Sequence, residues 1–244
     1  MTFIVGATAL FAAGLAQGCL GFGMALVATP LLLFVLAPET VVPTLFLLST
    51  LNTLFVAYDA RRHVRLGIVG PLFVGAALGF PLGVAVLKLL DAVVLKVFVG
   101  VLVTAIACLM LSGVRKPLPG EKWTLPVVGA VSGFLGASTT FSGPPVFLFL
   151  ANQGVSREAF RANVVCYLLS INCYGVAVLA LSRVLVLPTV GFTLALVPVM
   201  LVGTYLGIRL SRHVAEGPFR TAARVLTACA GISLAITNFR LRLA

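Results

Sequence analysis

Long runs of apolar residues, interrupted by single charges, prolines or clusters of glycine, fill almost the entire chain. A helix needs about 20 apolar residues to cross the roughly 30 Å hydrocarbon core of a bilayer. Cutting the chain at each interruption predicts an all-α integral membrane protein with ten helical segments. The predicted segments are 3–17, 22–36, 41–59, 66–88, 93–113, 123–137, 143–153, 160–181, 187–208 and 219–239. The first two are short, as are the sixth and seventh, and a glycine-rich break joins each short pair.

The order of short and long segments occurs twice, which indicates an internal duplication. Residues around the first break recur around the second at a constant offset: Gly14, Gly18, Leu20, Gly21 and Pro30 correspond to Gly129, Gly133, Leu135, Gly136 and Pro145. The sequence therefore predicts a first membrane repeat at 1–114, a polar linker at 115–122 and a second membrane repeat at 123–244.

The number of membrane crossings decides how the repeats are oriented. A short pair contributes two crossings or, as a re-entrant hairpin, none, so each repeat crosses an odd number of times and the two are inverted. If each pair were one kinked span, the repeats would instead be parallel. Most of the 17 Lys and Arg residues fall in four connectors, 60–65, 114–122, 154–161 and 209–220. Cytoplasmic loops are enriched in Lys and Arg, so these connectors are predicted to face the cytoplasm.

Composition excludes a soluble protein. Hydrophobic residues make up 61% of the chain and charged residues 9%, whereas soluble domains contain about 25% charged residues. The net charge of +11 is typical of nucleic-acid-binding proteins, but here the basic residues lie in connectors, and no nucleic acid partner is expected. The five cysteines lie in apolar stretches without metal-ligand spacing and are interpreted as small buried hydrophobic residues.

Paired, interrupted helices are typical of secondary transporters, in which the interruptions meet near the membrane midplane and bind the substrate. The interruptions here are 17–23 and 133–145. Helices that begin near Gly23 and Pro144 would direct positive dipole ends inward, and such an end favours an anion. Neighbouring hydroxyls and amides supply further donors. The predicted substrate-binding residues are Gln17, Gly21, Phe22, Gly23, Asn52, Ser138, Thr139, Thr140, Ser142, Gly143 and Asn172.

Other kinds of chemistry find no support in these segments. The six carboxylates fall in connectors or at helix ends, which argues against a cation cage or a carboxylate proton relay. The polar cluster contains no His, Asp or Glu, and Cys19 has no evident base nearby. We therefore expect no catalytic residue, no metal site and no cofactor.

Several of these residues also have a purely structural interpretation. The glycine pairs, such as Gly14 with Gly18, follow the small-xxx-small pattern of closely packed membrane helices. Asn52 and Asn172 could form interhelical hydrogen bonds, and the serines and threonines could serve only the backbone of the break.

Two motifs resemble those of the sulfite exporter TauE/SafE family. The run from Gly14 to Gly23 (GLAQGCLGFG), followed by Pro30, resembles the first-repeat motif. The run from Gly133 to Pro145 (GFLGASTTFSGPP), followed by FRAN at 160–163, is similar to the second-repeat motif, and the resemblance extends over essentially the whole chain. That motif more often reads Gly-Thr-Gly-Gly-Pro-Pro, so the bulkier Phe141 is predicted to reshape the pocket.

The resemblance implies a multi-pass protein of the bacterial cell inner membrane that transports a small sulfur-containing anion such as sulfite, a sulfonate or sulfoacetate. We expect alternating access and export, because a negative cell interior drives anions outward. The expected partners are this anion and membrane lipid, with a homodimer as one possible assembly. The alternatives are a non-transporting membrane scaffold or assembly subunit, an intramembrane enzyme, and uptake instead of export.

Overall fold

The computed structural model describes residues 2–20, 23–60, 64–95, 97–98, 101, 121–153 and 157–211. Within these ranges the regular elements are α-helices, and eight of them have defined bounds. They are α1 (Thr2–Leu20), α2 (Met24–Leu33), α3 (Pro38–Ala60), α4 (Leu66–Leu89), α5 (Glu121–Thr139), α6 (Gly143–Asn152), α7 (Arg157–Leu181) and α8 (Leu187–Ser211). The all-α prediction is thus confirmed for the described part of the chain.

These eight helices correspond to eight of the ten predicted segments. Only the beginning of the segment predicted at 93–113 is described. A helix starts there after Asp91, whose Oδ1 accepts a hydrogen bond from the backbone N–H of Val93 at 2.8 Å. This is an N-cap, which satisfies a backbone donor that the first turn leaves without a partner. The segment predicted at 219–239 lies outside the described residues.

The first helix of each broken pair is longer than the sequence predicts. Helices α1 and α5 contain 19 residues each, whereas their partners α2 and α6 are short, with 10 residues each. The segment predicted at 3–17 ends before Gly18 because glycine disfavours a helix interior, whereas the segment predicted at 123–137 contains Gly136 and stops two residues before the end of α5. In the structure, Gly18 and Gly136 lie within helices, and at both positions a Cβ would collide with a neighbour. Close packing therefore explains why these glycines do not end the helix.

In the part of the chain that the structure describes, four helices are long and apolar enough to cross a membrane, namely Pro38–Ala57, Leu66–Leu89, Ala162–Leu181 and Thr189–Leu210. Their surfaces carry large apolar side chains: Leu78 on α4 is 72% exposed and Phe55 on α3 is 66% exposed. Apolar surface of this extent needs lipid in place of water. Trp123, at the start of α5, is also exposed, as expected of a tryptophan at the membrane interface. The chain is a multi-pass membrane protein.

The described helices belong to two compact units. The first unit contains α1, α2 and α8, and the second contains most of α3 together with α4, α5, α6 and α7. Each unit thus combines helices from both predicted repeats. In the first unit α1 packs against α2, and in the second α6 packs against α5 and α7. The two compact units therefore do not coincide with the predicted repeats, 1–114 and 123–244.

Glycines bring α1 and α8 into backbone contact in the first unit. A Cβ at Gly14 would lie 2.5 Å from the carbonyl oxygen of Met200, and one at Gly18 would overlap that of Thr204. From the opposite side, a Cβ at Gly203 would overlap the carbonyl oxygen of Phe11. Residue numbers rise together along both helices, so α1 and α8 run parallel. The small-xxx-small interpretation of Gly14 and Gly18 is confirmed.

The second unit contains the same kind of contact between α4 and α5. Cβ atoms at Gly75 and Gly79 would overlap the carbonyl oxygens of Pro126 and Ala130. Cβ atoms at Gly129 and Gly133 would in turn overlap those of Leu72 and Ala76. These helices also run parallel, and their glycines oppose one another. Such close approach replaces side-chain packing with backbone dispersion contacts, as is common in membrane helices.

The parallel register places several helix starts at one end of the second unit. Helices α4 and α5 begin there, and so does α7, because the backbone N–H of Arg65 donates to Oδ1 of Asn163 at 2.7 Å. The connectors predicted to face the cytoplasm, 60–65, 114–122 and 154–161, lead into these three helices. Their shared end supports the prediction that they lie on one side of the membrane.

Candidate functional site

The break between α5 and α6 is a sharp reversal of the chain in the second unit. Helix α5 ends at Thr139, and Thr140 follows with a positive φ of 73°, while its N–H donates to the carbonyl oxygen of Gly136 at 2.8 Å. Ser142 occupies the N-cap position of α6 and lies against Gly136. A Cβ at Gly136 would come within 2.8 Å of the Ser142 Cβ. The chain therefore folds back along α5, and the glycine leaves the space that the reversal needs.

The packing of α4 fixes the level of this break. Gly83 lies against Phe134 and Ala137, so the reversal at Thr140 is level with the last turn of α4, which carries the exposed Lys88. The sequence predicts a break near the membrane midplane. The register places it closer to one end of the spanning helix α4, because α5 continues beside α4 as far as its last turn.

The hydroxyls of this break are not equivalent. Ser138 donates to the carbonyl oxygen of Phe134 at 2.8 Å, and Thr139 donates to that of Leu135 at 2.6 Å. Their single hydroxyl protons are therefore committed within α5. Ser142 is 4% exposed, and its side chain makes no capping hydrogen bond. Among these three, Ser142 is the residue whose hydroxyl donates neither to a cap nor to a helix carbonyl oxygen of the described residues.

The N-terminus of α6 is buried, and few of its groups can donate a hydrogen bond. Gly143 and Pro144 are buried, and Pro144 and Pro145 have no backbone N–H. The amides just before them, those of Ser142 and Gly143, are left as the donors nearest the helix start. Phe141 is fully buried beside them. The helix start therefore combines a positive dipole end, two amides and one hydroxyl, groups that favour an anion.

The break between α1 and α2 belongs to the first unit. Gly23 has a φ of 110° and caps α2, and its carbonyl oxygen accepts the N–H of Val27 at 3.2 Å. Gln17 is buried in α1, with 3% of its surface exposed. Gly21 and Phe22, which were predicted to line the site, lie outside the described residues.

Replacing Gly23 by alanine is expected to lower the stability of the protein by about 1–2 kcal/mol, because an L-residue is disfavoured at positive φ. No atom lies within 4 Å of a Cβ at this position. The loss of stability would therefore result from the backbone conformation and not from a steric clash. The measurement is the thermal unfolding midpoint of the detergent-solubilised protein. Gly67→Ala is the control, since its Cβ also meets open space without a positive φ. Equal midpoints for the two variants would contradict this account.

The predicted asparagines lie in long helices of the second unit. Asn52 in α3 is fully buried, and Asn172 in α7 is 4% exposed. Asn163 accepts a hydrogen bond from the backbone of Arg65, while its buried Nδ2 has no hydrogen-bond partner in the part of the chain that the structure describes. The structure thus brings Ser138, Thr139, Thr140, Ser142 and Gly143 together at one turn. No hydrogen bond between described residues joins Asn172 to that turn.

Two residues beside the break were missed by the sequence analysis. Ser132 in α5 and Tyr167 in α7 are both fully buried, and their hydroxyl oxygens are 2.5 Å apart. Ser132 also donates to the carbonyl oxygen of Ser142. A tyrosine in the middle of an apolar segment was the available signal, because a buried tyrosine hydroxyl usually has a hydrogen-bond partner.

Two of the five cysteines have described side chains, and both differ from the predicted buried surroundings. Cys166 is half-buried and Cys173 is exposed on α7, so neither is the fully buried residue that was expected. A thiol at a lipid-facing position behaves as a small apolar side chain. Among the described residues, no three His, Cys, Asp or Glu side chains are grouped in a way that could hold a metal ion.

Comparison with protein families identifies the chain. The family model described as sulfite exporter TauE/SafE matches residues 6–234, nearly the whole sequence. Comparisons with curated proteins and with solved structures give no match. The matched region includes both breaks and all eight bounded helices except the first residues of α1. The chain belongs to the sulfite exporter TauE/SafE family of membrane transporters.

Proposed function

We propose that this transporter carries a small sulfur-containing anion, such as sulfite, a sulfonate or sulfoacetate, and that the N-terminus of α6 binds it. The observation that carries the proposal is the chemistry of this helix end. It is buried, Ser142 makes no capping hydrogen bond there, and the prolines that follow leave the amides of Ser142 and Gly143 as the nearest donors. A sulfite or sulfonate group offers oxygen acceptors to such donors and a negative charge to the helix dipole.

The break at Gly23 is the predicted counterpart of this site in the other repeat. It too ends a 19-residue helix and begins a 10-residue one. Gln17 is buried on the last part of that helix and can offer an amide donor. We propose that this break contributes to anion binding, with Gln17 and Gly23 as the residues involved.

We further propose transport by alternating access between inverted repeats. In support, the predicted equivalents α1 and α5 each run parallel to a long helix through opposed glycines, α1 with α8 and α5 with α4. These long helices are themselves predicted equivalents. A duplication predicts that the same contact forms twice. Backbone contacts of this kind hold two helices together as a rigid pair. We propose that each pair moves as a rigid body during alternating access.

The proposed direction is export across a bacterial inner membrane. With the interior negative, moving one anionic charge outward releases about 2.3 kcal/mol per 100 mV, so a uniporter needs no coupling ion. Lys88, exposed on the last turn of α4, adds a positive charge at the level of the break. A carrier of this kind is reversible, and the same site serves uptake when the gradient is reversed.

Flux through purified protein in proteoliposomes tests the proposal. Vesicles loaded with sulfite, a sulfonate, thiosulfate, sulfate or a simple carboxylate are given an inside-negative potential, and anion release is followed. We expect faster release of sulfite or a sulfonate than of the carboxylate, and the same anion should raise the thermal unfolding midpoint. Release at the rate of protein-free vesicles for all five, with no thermal shift, would favour a non-transporting membrane subunit.

A further inference from the structure

A chain of hydrogen bonds links α7 to the start of α6 inside the second unit. The hydroxyl of Ser132 donates to the carbonyl oxygen of Ser142, which can only accept. Ser132 has one hydroxyl proton, so it cannot also donate to Tyr167, whose Oη lies 2.5 Å from the Ser132 Oγ. Tyr167 must therefore be the donor. The chain runs from the Tyr167 hydroxyl to the Ser132 hydroxyl and on to the Ser142 carbonyl oxygen.

This chain spans the reversal that builds the proposed anion site. Ser132 lies ten residues before Ser142 in sequence, so its bond ties the body of α5 to the first residue of the returning arm. The hydroxyls of Ser138 and Thr139 cannot form this tie, because they donate to carbonyl oxygens of their own helix. Ser132 and Tyr167 are both fully buried, so water does not compete for these bonds.

We infer that Tyr167 is a positioning residue for anion binding. Through Ser132 it holds the carbonyl group of Ser142, and with it the adjoining amide of Gly143, in the orientation that the anion meets. Because Tyr167 belongs to α7, a displacement of α7 reaches the anion site through this chain. The inference rests on the proposed function of the α6 N-terminus, and it assigns Tyr167 no contact with the anion.

The test compares two tyrosine-to-phenylalanine variants of the full-length protein in the same helix. Tyr167→Phe removes the first donor of the chain. Tyr174→Phe removes a hydroxyl that donates to the carbonyl oxygen of Ala77 at 3.0 Å, and it keeps the ring contacts with Phe73 and Phe80. Two quantities are measured, the sulfite concentration that gives half-maximal flux and the hydrogen–deuterium exchange of residues 140–147.

We expect Tyr167→Phe to raise the half-saturating sulfite concentration about tenfold, the effect of a lost buried hydrogen bond, with the maximal flux within about twofold of wild type. Exchange at 140–147 should accelerate in Tyr167→Phe and not in Tyr174→Phe. Adding Ser132→Ala to Tyr167→Phe should raise the half-saturating concentration no further than Ser132→Ala alone, because the two hydroxyls act in series.

Failure of the inference is distinguishable from failure of the proposed function. Unchanged exchange at 140–147 in Tyr167→Phe would overturn the inference whatever the flux shows. Faster exchange with an unchanged half-saturating concentration would also overturn it and would leave the transport proposal standing. If wild type moves none of the anions, the proposed function fails. The hydrogen-bond chain is then only a structural link between α7 and the start of α6, and Tyr167 has no role in anion binding.

Discussion

Replacing Gly79 by alanine is expected to destabilise the folded protein by about 3 kcal/mol, the upper part of the range for overpacking a tight contact. The new Cβ would overlap the carbonyl oxygen of Ala130. This atom belongs to the backbone of α5, so no side chain can rotate away and the two helices must separate. Separation also weakens the contacts at Gly75, Gly129 and Gly133. The measurement is the temperature at which the detergent-solubilised protein loses its monodisperse elution peak.

A glycine on the same helix supplies the control. A Cβ at Gly70 would meet no atom within 4 Å, so Gly70→Ala should unfold at the temperature of wild type or slightly above, since alanine favours a helix. The double variant Gly79→Ala with Gly133→Ala should lose less stability than the sum of the losses in the two single variants. One displacement of the helices relieves both clashes. If Gly79→Ala and Gly70→Ala unfold at the same temperature, the parallel contact between α4 and α5 does not exist as described.

The sequence predicts helix positions well where a charge or a proline bounds an apolar run. The segment at 66–88 corresponds to α4, Leu66–Leu89, and the segment at 143–153 corresponds to α6, Gly143–Asn152. It predicts them poorly where glycine is the only signal. A glycine that ends a helix and one that admits a neighbouring backbone look alike until the neighbour is known. The segment predicted for α1 therefore ends before Gly18, three residues short of Leu20.

The duplication predicts which helices are alike but not which helices touch. Helices α1 and α5 are predicted equivalents, and each contacts a long helix of the opposite repeat. A pattern within one repeat carries no information about such a partner. The opposed glycine pairs become recognisable as one contact only when α4 and α5 are seen side by side.

The composition of the site could be predicted, but the use of its hydroxyls could not. The cluster from Ser138 to Gly143 was found from the break and from the helix dipole. Donation by Ser138 and Thr139 to carbonyl oxygens of α5 depends on rotamers that a sequence does not state. The bond from Ser132 to the Ser142 carbonyl joins residues in two arms of the hairpin, and it depends on the sharpness of the reversal.

These hydrogen bonds make Ser142→Ala the substitution expected to affect anion binding most strongly. Its hydroxyl makes no capping bond and lies at the buried start of α6. Removing it should raise the half-saturating sulfite concentration about tenfold or more, since a hydrogen bond to a charged group contributes roughly 1.5–3 kcal/mol. Alanine is preferred to valine here because Ser142 packs directly against Gly136, which leaves no space for a branched side chain. The measurement is sulfite flux in proteoliposomes over a range of concentrations.

Ser138→Ala and Thr139→Ser are the matched comparisons, because they alter neighbouring residues of the same turn. Ser138→Ala removes a hydroxyl already donated to Phe134, and Thr139→Ser keeps the one donated to Leu135. Both should change the half-saturating concentration by less than about twofold, because neither hydroxyl proton is offered to the anion. If Ser138→Ala raised the half-saturating sulfite concentration as much as Ser142→Ala, the hydroxyls of the turn would have to rotate toward the substrate when it binds. The anion would then be held by the whole turn, and the α6 N-terminus alone would not account for binding.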